Sequence, residues 1–297
     1  MSSIDRILAL TDLSSNAMAG VDLANAVARR LQARVAVGFV HTRADVLREF
    51  SRGRESAERL AQWVKEDDEA SLRALAERHV DKLRLLSVET CDAANARDGV
   101  LDLIRRVKPA LVCMATRGRT GVSHMLLGSV AEHTLRTAGV PVMVTKGATM
   151  PQVGEPLRML VAHDLIDDPA RLAERASELL AKGDEIIHTH VVESWYYSPS
   201  AYGSEFALPQ PDVPRLVEAA TERLRQIVAR PDLKSSVEVT TGRPGEGLVE
   251  LEKRLAPHVV AAQTHGRRGF DRLMLGSVSE FLARKAKGAV LVFPKAG

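Results

Sequence analysis

The apolar run Leu111-Val112-Cys113-Met114 leads into Ala115-Thr116-Arg117-Gly118, then nine residues, then Gly128-Ser129-Val130 at the start of a helix-forming stretch. Glycine on a loop leaving a strand lets backbone N–H groups close on an anion. Gly-Ser at a helix N-terminus adds unsatisfied amide donors, a hydroxyl and the positive end of the helix dipole. The chemistry offered is phosphate binding. No Gly-Lys-Ser/Thr follows and the spacing is not Gly-x-Gly-x-x-Gly, so a P-loop and a dinucleotide fingerprint are both set aside.

The pattern is written twice. Thr116 to Val130 reads TRGRTGVSHMLLGSV, and 148 residues later Thr264 to Val278 reads THGRRGFDRLMLGSV, with Gly266 and Gly276-Ser277 at the matching places. Earlier in each half, Arg6-Ile7-Leu8-Ala9-Leu10-Thr11-Asp12 matches Arg158-Met159-Leu160-Val161-Ala162-His163-Asp164, now 152 residues apart. A repeat of this length marks a duplicated domain, and the drift in offset marks loops of unequal length. Arg117, Arg119, Arg267 and Arg268 flank the two glycine loops, where they either neutralise phosphate or stand solvated on the rim.

Other residues offer less. His188 and His190 alternate on a predicted strand and face one side, but a metal at that spacing needs a third ligand and the neighbouring sequence supplies none. No Gly-x-Ser-x-Gly elbow and no close acidic pair specifies hydrolysis, so the residues themselves name no catalytic step. Trp195 to Phe206 holds all three tyrosines and one of two tryptophans in a Pro- and Gly-containing loop. It reads as a segment packed on its own domain, or else as a partner or lid surface.

The elements that must position these residues alternate. In the first copy, strand Ile7–Leu10 precedes a helix with apolar Met18, Val21, Ala24, Ala28 and Leu31, for which Ser14 or Ser15 is the expected cap. Strand Val35–Val40, a long polar-faced helix from Ser56 to Leu83, and strand Leu85–Glu89 follow. Helix Gly99–Val107, strand Leu111–Met114, helix Val130–Thr137 and strand Val142–Val144 complete it. The second copy repeats the order, with a helix entering at Pro214 and a last strand Val290–Phe293. Short continuous apolar strands separated by helices predict two tandem, doubly wound α/β domains with open parallel sheets. Their expected bounds are 1–147 and 157–297, joined by a linker over 148–156.

Composition agrees with two ordinary globular domains: 297 residues, 45% hydrophobic, 27% charged. The 41 Lys and Arg nearly balance 38 Asp and Glu, without a run of five like charges, which argues against a nucleic-acid surface. Cys91 and Cys113 cannot build a disulfide framework, so a reduced, cytoplasmic protein is expected. No stretch approaches 18 uncharged apolar residues, so a membrane partner is not expected.

With these residues in view, nearly the whole chain resembles the universal stress proteins in their tandem form. The family signature is Gly, two residues, Gly, nine residues, Gly-Ser/Thr, then a helix and a Pro-Val-x-Val strand, here Pro141-Val142-Met143-Val144. The resemblance implies a Rossmann-like, adenine-nucleotide-hydrolase-like fold and a nucleotide-responsive adaptor. ATP, with or without Mg, would be the bound nucleotide, AMP and ADP being alternatives of the same class. Asp12 and Asp164 sit where the family contacts the adenosine moiety. Val40 and Val191 match the residue whose backbone meets adenine, and Met114 fits the apolar residue before the loop. Gly118, Gly128, Ser129 and Val130, with Gly266, Gly276 and Ser277, match the phosphate loop. The family's first loop glycine is replaced by Ala115 and by Gln263, and Met114 has Ala262 as its counterpart. These departures place the ATP site in the first copy ahead of the second and leave two rival readings, a nucleotide-free scaffold and a weak ATPase with at most slow ATP hydrolysis. The resemblance further implies that the two domains pair through their last strands about a pseudo-two-fold axis, as an intramolecular dimer. Further homodimerisation and an unnamed protein partner stay open.

Overall fold

Ile7, Leu8 and Ala9 are wholly buried, as a strand covered on both faces must be. The computed structural model describes residues 4–42, 57–118, 127–166, 168–193, 212–227, 230–264 and 275–295, with side chains in the second segment described from residue 62. Two units are formed, Met1–Val153 and Gly154–Gly297.

In the first unit the order is β1 (Arg6–Leu10), α1 (Met18–Leu31), β2 (Arg34–Thr42), α2 (Ala57–His79), β3 (Leu85–Ala93), α3 (Ala96–Val107), β4 (Leu111–Ala115), α4 (Ser129–Thr137) and β5 (Val142–Thr145). The sheet runs β3-β2-β1-β4-β5, with parallel pairing throughout. The second unit runs β6 (Arg158–Ala162), α5 (Pro169–Ser177), β7 (Glu185–Val192), α6 (Val213–Arg225), β8 (Lys234–Thr241), α7 (Pro244–Leu255), β9 (Val259–Gln263), α8 (Ser277–Lys285) and β10 (Ala289–Phe293). Its sheet is β8-β7-β6-β9-β10, again parallel. The tandem α/β architecture is therefore as expected, most strands running one to four residues longer than the apolar runs that announce them.

The strand order reverses direction of growth at β1/β4 and at β6/β9, and in such sheets the crevice beyond the strands' C-terminal ends is the ligand position. The same local devices build both units. Arg6 Nη1 donates to Val107 O at 2.6 Å and Arg158 Nη1 to Leu255 O at 2.7 Å, satisfying last-turn carbonyls of α3 and α7. Both helices end on a non-glycine residue in the left-handed region, Lys108 at φ 49° and Ala256 at φ 46°. Gly99 on α3 faces the Val40 side chain so closely that a Cβ would overlap it, and Gly247 on α7 faces Val191 less tightly, its Cβ position lying 3.0 Å from the Val191 side chain. Each glycine lets a helix settle onto its second strand.

Helix α1 does not start as expected. Neither Ser14 nor Ser15 caps it through a side chain; a 3-10 turn, Ser15–Ala17, precedes it, and Ala17 stands at the N-cap. The Ser14 hydroxyl is engaged elsewhere, donating to Asp12 Oδ1 at 2.5 Å. In the second unit Asp168 does cap α5, accepting from Ala170 N at 3.0 Å, with Pro169 at the first helical position. No helix among the described residues is long and apolar enough to cross a membrane.

Candidate functional site

Strands β1 and β4 are neighbours, so the segments leaving their C-terminal ends converge. Asp12 Oδ1 accepts from Ser14 N at 3.0 Å as well as from the Ser14 hydroxyl. Its Oδ2 lies against Gly118, where any Cβ would overlap it. Gly118 is thus required by close approach: the aspartate after β1 and the loop after β4 are packed into one object. Between them Leu13 is held in the left-handed region, φ 65°, with its N–H donating to Thr11 Oγ1 at 3.1 Å. A leucine there costs on the order of 1–2 kcal/mol, and such outliers persist where the surroundings over-determine them. The second unit repeats the outlier at Leu165, φ 58°, where Asp164 Oδ1 accepts from Ile166 N at 3.0 Å.

Beyond the loop, Gly128 N donates to Thr116 O at 2.9 Å, fixing the start of α4 to the end of β4. Gly128 is the N-cap, and it has no side chain with which to cap the helix. The first-turn amides of α4 and the Ser129 hydroxyl, which is exposed, form an uncapped donor set with the dipole behind it. The second unit has the same geometry: Gly276 N donates to Thr264 O at 2.5 Å, Gly276 is an N-cap without side-chain assistance, and Ser277 is exposed. Val130 begins α4 half-buried. Gly266, Arg119, Arg267, Arg268 and the aromatic segment 195–206 lie outside the described residues.

Val40 comes next to this rim from β2. Strand β1 pairs with β2 up to Gly38, whose carbonyl accepts from Thr11 N at 3.0 Å. Two residues on, Val40 must turn its N–H and C=O to the same side, past the point where β1 has ended. The Val40 side chain, 9% exposed, is anchored away from that gap against Gly99. Val191 stands identically beyond Thr189, whose carbonyl accepts from His163 N at 2.8 Å. The first unit therefore brings Asp12, Val40, Met114, Gly118, Gly128 and Ser129 to one rim of β2, β1 and β4, where a carboxylate, open backbone groups and an anion-ready helix end meet.

Ala115 and Gln263 end β4 and β9 with extended backbones, and neither is among the positive-φ residues. Glycine at this place is not demanded by backbone conformation; what differs is the side chain. In the first unit Gly20 on α1 brings that helix against the strand end, its Cβ position falling 2.5 Å from Ala115 N and 2.6 Å from Met114 C. Sequence spacing did not single out Gly20. In the second unit the Ser279 hydroxyl, fully buried in the first turn of α8, donates to Gln263 O at 2.5 Å. The corresponding residue of α4 is Ala131, which can make no such bond.

The histidines bond to one another and to the backbone. His188 does find another imidazole, but it is His163, adjacent to Asp164, and the contact is a hydrogen bond: His163 Nε2 to His188 Nδ1, 3.1 Å. His190 Nδ1 lies 2.7 Å from the His163 carbonyl, to which it donates. Among the described residues no group of three His, Cys, Asp or Glu is arranged to hold a metal. Burial first, then the neighbouring imidazoles, pushes His163 down to about 3; burial pushes His188 down to about 4, so both are neutral at pH 7. The signal that could have found His163 is the repeat itself, which sets it opposite Thr11. Cys91 and Cys113 are free thiols, and burial raises both pKa values, so neither is an activated nucleophile.

A profile of the universal stress protein family matches residues 3–146 and again 157–294. A universal stress protein of Mycobacterium tuberculosis is 29% identical over 201 residues, covering 61% of this chain and 61% of the relative. The chain thus spans about three-fifths of the length of the first curated relatives that it matches. A crystal structure of a putative universal stress protein from Pseudomonas aeruginosa aligns over 99% of this chain and 94% of its own, at 14% identity and TM-score 0.62. One from Archaeoglobus fulgidus aligns over 99% and 100%, at 19% identity and TM-score 0.58. At those identities the likeness is one of fold.

Proposed function

The chain belongs to the universal stress protein family, and from that premise we propose that its first unit holds an adenine nucleotide on the rim of β2, β1 and β4 and signals its presence to a protein partner. The observation that carries this reading is the packing of Gly118 onto Asp12 beside the uncapped start of α4. Asp12 offers a carboxylate for the ribose hydroxyls. The Val40 backbone, pointing past the end of β1, offers a donor and an acceptor to the adenine edge. Gly128, Ser129 and the first-turn amides of α4 offer donors and a positive dipole to the phosphates. Because Gly118 and Asp12 are one packed object, a nucleotide that grips the aspartate also fixes where the loop to Gly128 begins. A partner that binds better to the loop so arranged then reads occupancy as differential affinity. ATP is the expected ligand, with AMP and ADP in the same class.

In the second unit, Gln263 and the Ser279 bond favour a different role for the same scaffold, one of structure in place of nucleotide binding. The experiment that tests both is to denature the purified chain and identify released nucleotide by chromatography and mass. One adenine nucleotide per chain supports the reading as stated, and two would show that Gln263 is tolerated. None, together with no thermal stabilisation by millimolar Mg-ATP, would overturn nucleotide binding, since stabilisation follows RT ln(1 + [L]/Kd).

A further inference from the structure

The second unit carries three histidines where the first has apolar or hydroxyl residues. Matching the strands through Thr11 N to Gly38 O and His163 N to Thr189 O sets His163 against Thr11, His188 against Val37 and His190 against Phe39. His163 is 6% exposed and His188 1%, and their facing nitrogens share one hydrogen bond. The outer nitrogens, His163 Nδ1 and His188 Nε2, meet no hydrogen-bond partner among the described residues. We infer that this imidazole pair makes the Asp164 turn of the second unit acid-labile, a proton-operated release that the first unit lacks.

The neutral pair needs one proton for its N–H···N bond, so any further proton brings a net charge into the unit's interior. The titratable group beside it on β7 is His190, whose own protonation adds repulsion. From β8, Val237 and Val239 stand in register with His188 and His190. From the covering helices come Ala173 and Leu224 of the apolar cluster that also holds those valines. Of the charged groups on α5 and α6, Arg175 donates to the Pro294 carbonyl, with Glu178 and Arg171 near it, Arg223 donates to the Leu165 carbonyl, and Glu222 pairs with Arg225; Glu174, Arg215 and Glu218 complete the set. Neither His163 nor His188 meets a carboxylate among the described residues.

The pair is mechanically coupled to the turn. His163 is held at its N–H by Thr189 O, at its carbonyl by His190 Nδ1 and at its ring by His188. The next residue is Asp164, followed by Leu165 in its strained left-handed conformation. Once the ring anchor is lost, the strain at Leu165 favours opening. The sign follows from linkage. The folded imidazoles titrate below their unfolded value near 6.5, so their contribution is intact above that pH and is lost as pH falls toward about 4. Each histidine that stays neutral while the opened form binds a proton shifts the equilibrium about tenfold per pH unit.

The test is hydrogen exchange of the full chain by mass spectrometry at pH 7.5 and pH 5.0, each corrected for intrinsic exchange. The expected result is an opening constant for segments 158–166 and 185–192 that rises at least tenfold at pH 5.0 relative to segments 6–14 and 34–42. The double variant His163→Thr, His188→Val, which installs the first unit's residues, is expected to remove that excess. An equal response in the two units, or an excess retained by the double variant, overturns the inference. Should the variant not fold, histidine NMR titration of the unaltered chain decides. Assigned His163 and His188 rings that stay neutral from pH 7.5 to 5.5 support it. An ordinary midpoint near 6.5 for either ring overturns it.

Discussion

The two units share a sheet order and a rim, yet their first helices meet the sheet in opposite ways. In the first unit Gly20 lets the 14-residue α1 lie backbone to backbone on the end of β4. In the second, the repeat puts Leu172 at that place, 3% exposed, on a helix of nine residues. Leucine has a side chain where Gly20 has none, so the backbone-to-backbone approach that α1 makes to β4 is closed to α5 at this position. The compensation is polar. The Ser279–Gln263 bond ties α8 to the end of β9, and the His163–His188 bond ties the Asp164 turn to β7. The lesson is that a duplicated rim can be held by close packing in one copy and by buried hydrogen bonds in the other. Packing is indifferent to pH, whereas imidazole pairs are not.

The sharpest way to break the comparison is Gly118→Val. Its Cβ would overlap the Asp12 carboxylate, so the released-nucleotide assay is expected to fall to zero while the circular dichroism of the sheet and helices is retained. Undiminished nucleotide would remove this loop from the site. Next in size is Gly20→Leu, which imports the second unit's residue into α1. Forcing a leucine against β4 backbone is expected to cost about 3 kcal/mol, read as a lowered urea midpoint at unchanged slope. A neutral result would mean that α1 has the freedom α5 shows.

The comparison is sharpened from the other side by Gln263→Gly combined with Ser279→Ala. If those two residues are what distinguishes the second rim, released nucleotide is expected to rise from one to two equivalents per chain. An unchanged yield would assign the difference to Leu172 and the histidines. The smallest effect is at Leu13. Asparagine tolerates the left-handed region better than leucine, so Leu13→Asn is expected to change stability by less than 1 kcal/mol, in the stabilising direction, by urea denaturation. A loss above that would show that the Leu13 side chain contributes more in packing than its backbone costs.

Much of the architecture was legible in the linear text. Ile7 to Leu10, Leu111 to Met114 and Val290 to Phe293 read as strands because a strand buried on both faces has no polar alternation to confuse the period. The repeat exposed both rims, since Gly-Ser after a fixed interval survives in both copies. Other features were not legible for definite reasons. Ser14 looked like a helix cap, but its hydroxyl had a nearer carboxylate in Asp12, and the start of α1 moved on by a 3-10 turn. His163 carried no metal-like spacing to His188, because one follows β6 and the other lies on β7, 25 residues apart in sequence. Gly20 was one small residue inside an amphipathic helix, and nothing in the helical period says that a strand end lies against it.

What the sequence by itself determined is the list of elements, their doubling, and the residues that reach each rim, all of which follow from local period, propensity and spacing. Tertiary structure decided the rest. It set Gly118 on Asp12, turned the Val40 backbone past the end of β1, and joined His163, just past β6, to His188 on β7. These contacts join residues distant along the chain, and their energies depend on burial and on distances of a few tenths of an ångström, which residue order does not encode locally.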